Sequence, residues 1–342
     1  MIRAMAIQRQ EREKRKNVVV GLILGFLFEI SLLVVPVSGQ ASTENPLLST
    51  VKLHVSGYTQ VLYSWWEEGV DSFLVKRARL SLSGEIARKI KFKLQADAVK
   101  SPILLDAQVD FEFSPSIGLR IGQFYVPFGR ENRTSSSEIE TILRSQVVDK
   151  LAPSRDIGSP GRDIGAMVFG KFSAIEYMAG FFNGSGVNKT DTNENKDFSA
   201  RVVLRPAAFI SIGGSLYNGR HSPAQGDRPF TRDRVGIEAG LDMGAFSART
   251  EYISGQENQT KRDGWYVQGS YFVLEKKVQA VIKWDSYDQD KDAASDRSDL
   301  LTLGINWFFS EKTKLQVNFN SYRRESGETA NRAVLVQFQA GF

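Results

Sequence analysis

Val334-Leu335-Val336-Gln337-Phe338-Gln339-Ala340-Gly341-Phe342 closes the chain. Val334, Val336, Phe338, Ala340 and Phe342 share one parity, and Leu335, Gln337, Gln339 and Gly341 take the other. A two-residue period is that of a strand, whose successive side chains point to opposite faces. One face here is greasy and the other wetter. About sixteen such segments follow one another from Val51 to Phe342.

Faces can be assigned along the chain by the same parity. Leu315, Val317 and Phe319 alternate with Gln316, Asn318 and Asn320; Val278, Ala280, Ile282 and Trp284 alternate with Gln279, Lys283 and Asp285. Phe92, Leu94, Ala96 and Ala98 likewise alternate with Lys91, Lys93, Gln95 and Asp97. Short connections near Arg88, Pro115, Ser173, Ala207, Gly244, Lys276 and Glu311 take turns with longer polar ones, including 257–262 and the much longer 126–161. The one exception to the long set is 100–102. Aromatics gather near strand ends (Tyr63, Trp65, Trp265, Trp284, Trp307, Phe308), where a ring with a polar tip suits a membrane interface. The expected fold is an all-β transmembrane antiparallel barrel of about sixteen strands over 51–342, wide enough for an aqueous lumen.

The N-terminus reads as an export signal over 1–41. Arg3, Arg9, Arg12, Lys14, Arg15 and Lys16 precede an apolar run from Val18 to about Val35, and Gly39-Gln40-Ala41 offers small residues for cleavage. Glu29 in that run leaves an uncleaved anchor as the alternative, and Met5 could be the initiator. Residues 42–50 are too short for a plug domain and form a lead-in on the periplasmic side. Taking six basic and three acidic residues from the totals of 44 and 39 leaves 38 against 36, about +2. Nothing in that balance argues for nucleic acid. The absence of cysteine excludes a disulfide framework and any thiolate metal or redox site.

Four stretches resemble the phosphate-selective porin O and P family. They are Phe73-Leu-Val-Lys-Arg77-Ala-Arg79-Leu-Ser-Leu-Ser-Gly84, Ile121-Gly-Gln-Phe-Tyr-Val-Pro127-Phe-Gly129, Leu151-Ala-Pro-Ser-Arg155-Asp156-Ile-Gly158 and Gly180-Phe-Phe-Asn183-Gly184, in the family's order and spacing. The resemblance implies a trimeric, sixteen-stranded channel in the outer membrane of a Gram-negative bacterium, set among lipid and lipopolysaccharide. It also implies a third outer loop folded into the lumen, and passage of inorganic anions or other small hydrophilic solutes.

The residues support parts of that picture by themselves. A connection as long as 126–161 is usually functional. Ser135-Ser136-Ser137-Glu138 followed by Ile139, Ile142, Leu143 and Val147 reads as a capped short helix with one apolar stripe for the inner wall. It would show Arg130, Arg133, Arg144, Lys150 and Arg155 to the water; the alternative is a lid over the mouth. Parity points Arg77, Arg79, Lys91, Lys93, Arg120, Arg201 and Arg205 inward, where rings of such groups favour anions. Inward acids (Asp97, Asp106, Asp110, Glu112, Glu238, Glu251, Asp285) offer cross-strand partners instead, and no tight lysine cluster is present. Catalysis has little to work with, since His54 reads as a wall residue and His221 as a solvated loop residue. No cofactor or metal is expected; the acidic run around Asp288, Asp290 and Asp292 reads as a solvated loop rather than a calcium site. The rival to a pore is a structural or adhesive barrel.

Overall fold

The computed structural model describes residues 52–222, 227–325 and 331–342. The expected signal and lead-in lie outside the described residues. Sixteen antiparallel strands close into one barrel, each bonded to its sequence neighbours and β16 bonded to β1. They are β1 Lys52–Trp66, β2 Ser72–Ala87, β3 Ile90–Asp97, β4 Leu104–Ser114, β5 Ile117–Tyr125, β6 Arg162–Phe172, β7 Ile175–Phe182 and β8 Asp197–Ala207. The second half holds β9 Ile210–His221, β10 Phe230–Met243, β11 Phe246–Glu257, β12 Thr260–Leu274, β13 Val278–Asp288, β14 Ser298–Phe308, β15 Lys314–Arg324 and β16 Arg332–Gly341. Closure matters because hydrocarbon offers no partner to an unpaired strand edge.

Parity sorts the side chains as the sequence requires. Gln316, Asn318 and Gln337 are buried in the lumen, while Ile282, Val317 and Phe319 stand exposed on the outside. Aromatic rings cluster at both rims of that outer face. Tyr63 lies 4.8 Å from Phe73 near the outer rim, and Trp307 stacks on Phe309 at 5.8 Å near the periplasmic one. One connection is shorter than the sequence suggests: β11 runs to Glu257 and β12 starts at Thr260, leaving only Asn258 and Gln259 between them. Polar residues that read as loop are paired into the ladder there, with Glu257 opposite Thr260.

The connection 126–161, called L3 below, turns back into the barrel. Its partners are inward-facing side chains on many strands. Ser199 Oγ of β8 donates to the Pro127 carbonyl (3.1 Å), and the Gly129 amide donates to Ser215 Oγ of β9 (3.1 Å). Across the lumen, Gln60 of β1 donates to the Ser136 carbonyl (3.0 Å) and Lys314 of β15 to that of Ile139 (3.1 Å). Gly129 takes φ 66° where L3 starts its helix α1 (Arg130–Arg133), and Glu251 of β11 accepts the Arg130 amide there (3.0 Å).

The expected helix over 135–147 does not form. L3 carries α1 and a second short helix, α2 (Gln146–Leu151), with irregular chain between. The wall supplies the partners that an internal helical ladder would have used. Gln339 donates to the Ser137 carbonyl, Asn306 to Glu140, Lys76 to Ile142 and Lys283 to Leu143, while Asn318 Oδ1 accepts the Ile142 amide. The apolar residues still dock inward, on two separate patches. Ile142 packs with Leu62, Ala333 and Leu335, whereas Val147, Val148 and Leu151 pack with Ile253, Tyr266 and Tyr287. Gly264 makes room for this: a Cβ there would sit 2.9 Å from that of Val147.

The returning arm is held by charge. Asp156 takes Arg232 (2.6 Å) and Arg234 (3.1 Å) of β10 together, and all three side chains are almost fully buried. Arg234 also donates to the Leu151 carbonyl at 3.1 Å.

Two outcomes test this architecture. Ile282→Arg, an outward position near the middle of β13, should cost about 2–4 kcal/mol in reversible urea unfolding from lipid vesicles, the penalty for a cation at the bilayer midplane. A near-zero cost would mean that this face meets water. Asp156→Ala leaves the buried Arg232 with Asp197 only at 4.0 Å, while Arg234 keeps Glu257, and should remove about 3–5 kcal/mol. A change below ~1 kcal/mol in that assay would show that the clamp does not hold L3.

Candidate pore and its charges

The hydrogen bonds of L3 go to β1, β2 and β8–β16, and, where the loop ends, to Arg162 at the start of β6. The lumen left beside β3–β7 holds the upper cavity and the larger of the lower ones. The upper one, about 390 Å³, is lined by Arg77, Arg79, Lys100, Arg155, Arg162 and Lys189 among others, with no carboxylate in its lining. It lies between L3, at Ser136 and Arg155, and the outer loops that carry Lys100 and Lys189. Below L3, towards the periplasmic turns, two further cavities of about 310 and 240 Å³ share Arg133 in their linings.

Most wall cations in the inward set face a partner. Arg79 bonds Asp97 at 3.0 Å with both side chains buried, and Lys93 bonds Asp106 at 2.8 Å. Arg120 grips both oxygens of Asp110 at 2.7 Å each, and Arg201 grips both of Glu238. Lys91 with Glu112 (2.7 Å) and Arg205 with Glu176 (3.6 Å) are exposed pairs near the periplasmic end, screened and of small energetic weight. Arg77 differs: it donates to Gln60 Oε1 at 2.8 Å and forms no ion pair with a described residue.

The L3 cations divide in the same way. Arg144 is buried and braces the loop itself through the carbonyls of Glu131 and Thr134. Arg155 bonds Asn132 Oδ1 (2.6 Å) and reaches the half-exposed Asp149 (3.3 Å). Arg130 holds Ser211 Oγ at 3.2 Å, and Lys150 stands exposed on α2. Arg133 has no hydrogen bond or ion pair with any described residue, and its Nε is buried without an acceptor. Burial lowers its pKa below the ordinary arginine value, as do Arg201 and Arg120 nearby. It remains a cation at neutral pH.

Four contributors escape a parity argument. Lys100 and Lys189 stand on loops, which have no alternation, and Arg162 opens its strand. Arg162 is buried, paired with Asp106, and set over the Tyr125 ring at 3.7 Å. Lys76 is turned by a bulge: Gln60 pairs with Arg77 and Val61 with Val75, so Lys76 is the extra residue. Its Nζ donates to the Ile142 carbonyl at 2.7 Å. The signal was present, since strict parity would have put Lys76 into lipid beside the inward Arg77.

Known proteins agree with this geometry. An uncharacterized protein of Aquifex aeolicus is 22% identical over 339 residues, covering 78% of this chain and 80% of its own. Among solved structures, the outer membrane channel DcaP of Acinetobacter baumannii superposes with a TM-score of 0.64 at 11% identity, over 88% of this chain and 100% of that one. The outer membrane protein OmpT of Vibrio cholerae gives 0.64 at 9%, over 86% and 99%. OmpF of Salmonella typhi gives 0.63 at 10%, over 84% and 97%. These likenesses carry the fold. The family model described as phosphate-selective porin O and P matches residues 67–341, and so this chain, an outer-membrane channel rather than an enzyme, belongs to that family.

Proposed function

We propose that the barrel passes small hydrophilic solutes by passive diffusion and prefers anions among them. The observation that carries the preference is the upper cavity, whose lining holds six cationic side chains and no carboxylate. Arg79 and Arg162 there are matched by Asp97 and Asp106. Arg77, Lys100 and Lys189 have no carboxylate partner among the described residues, so the vestibule keeps a positive surplus. Charge of one sign over a narrow opening raises the local concentration of counter-ions and so biases what enters. The wall pairs below supply polarity without surplus, which keeps the lumen wet and tolerant of neutral solutes.

The proposal includes a homotrimer in outer-membrane lipid. Family membership supports it, and so does the likeness to OmpT of Vibrio cholerae, one of whose structures is described as a trimer form (TM-score 0.61, 10% identity). Light scattering of the detergent-purified protein should return three copies per particle, and a single copy would remove that part.

Selectivity is read in a planar bilayer under a KCl gradient. The reversal potential should take the sign of chloride preference, and Lys100→Ala with Lys189→Ala should move it towards zero. The shift should be larger near 0.1 M salt than near 1 M, because the screening length falls from about 10 Å to about 3 Å. A potential of the opposite sign in the unmodified protein would overturn the anion reading.

A further inference from the structure

The cavity beneath L3 has a different character from the one above it. Its lining combines Met167 and Phe169 of β6 and Met178 of β7 with Arg120 and Arg133, and Lys171 and Glu176 stand at its periplasmic side. Met167, Phe169 and Met178 have the inward parity of their strands, so these apolar side chains face the lumen in a wall that is otherwise mostly polar. Met167 and Met178 belong to an apolar cluster, with Phe169 partly buried against it. That cluster elsewhere receives α2 of L3. At Phe169 it borders the cavity instead.

Two cations of this cavity form no ion pair with a described residue, the exposed Lys171 at its rim and Arg133 inside it. Asp110 satisfies Arg120, which lies 5.3 Å from the Phe169 ring centroid, and Arg205 faces Glu176. Arg133 is left with its buried Nε unpaired. A buried donor without an acceptor is costly, and a carboxylate is the partner that a guanidinium fork fits best. Ligand pockets commonly join a mostly apolar lining to a few placed polar groups, in volumes of about 300–1,000 Å³. This cavity, at about 310 Å³, sits at the small end of that range.

We propose that the lower chamber is a subsite for organic monocarboxylates with an aromatic or branched apolar body. The carboxylate meets Arg133, and the body lies on Phe169, Met167 and Met178. This rests on the anion-preferring pore above and adds a class of solute to it. Bare inorganic anions gain nothing from the apolar floor, whereas an aryl carboxylate is held there briefly on its way through. Sulfur–aromatic and apolar contact supplies the discrimination.

The test uses benzoate and acetate as blockers of chloride current through single channels of the full protein, alongside the KCl-gradient reversal potential. Benzoate should reach half-block at a concentration roughly tenfold below that of acetate, as expected for covering a ring. Arg133→Ala should weaken both blockers, while Phe169→Ser should bring the benzoate-to-acetate ratio close to one. Because the ratio is taken on one channel, a variant that merely conducts differently still reports. Equal block by the two anions in a channel that prefers chloride overturns the subsite alone. A cation-preferring reversal potential overturns the pore reading and the subsite with it.

Discussion

Hydrocarbon cannot hydrogen-bond, and the whole wall is an answer to that fact. Every spanning strand must give its amides and carbonyls to a neighbour, so the last strand has to find the first. The seam runs from Tyr58 opposite Gly341 to Trp66 opposite Ala333, and Gly57 and Phe342 exchange amide-to-carbonyl bonds beyond it. Once the ring is closed, the pleat divides the side chains without further help. Residues of one parity meet lipid and those of the other meet the lumen.

The lumen then has the opposite problem, a surplus of polar groups that need partners. Cross-strand ion pairs such as Arg120 with Asp110 absorb part of it, and L3 absorbs much of the rest. The loop presents backbone carbonyls from Ser136 to Leu143, and the wall meets them with glutamine, asparagine and lysine side chains. Glu140 is held by Ser270 and Gln279 at 3.0 Å each, so a loop carboxylate takes hydrogen bonds from the wall. These bonds are individually modest. Together they fix a strap across the barrel, leaning away from β3–β7.

How far the sequence could be read follows from what alternation encodes. Strand number, facing and the periplasmic turns were legible, because a one-residue slip would put Gln316 or Lys283 into lipid. The β11–β12 hairpin is tighter than its polar sequence suggests, since polar residues above the membrane pair as readily as they loop. L3 was harder. Ser135 to Val147 has the local pattern of a helix, but the outcome was decided by carbonyl partners on strands far away in sequence, such as Lys314 and Gln339. Propensity cannot register a competitor that only the closed barrel brings within reach. The surplus of vestibule charge was likewise hidden. Which cations are matched depends on register, and Lys100 and Lys189 come from loops where parity says nothing.

That placement on loops has an evolutionary side. Lys100 and Lys189 contribute to the vestibule but carry no strand pairing, whereas Arg79 and Arg201 are locked to buried carboxylates in the wall. Substitution at the first pair alters what is attracted to the entrance while leaving the cylinder intact; substitution at the second risks the cylinder itself. Descendants of this chain can therefore drift in appetite for solutes through a few rim positions, under one conserved architecture.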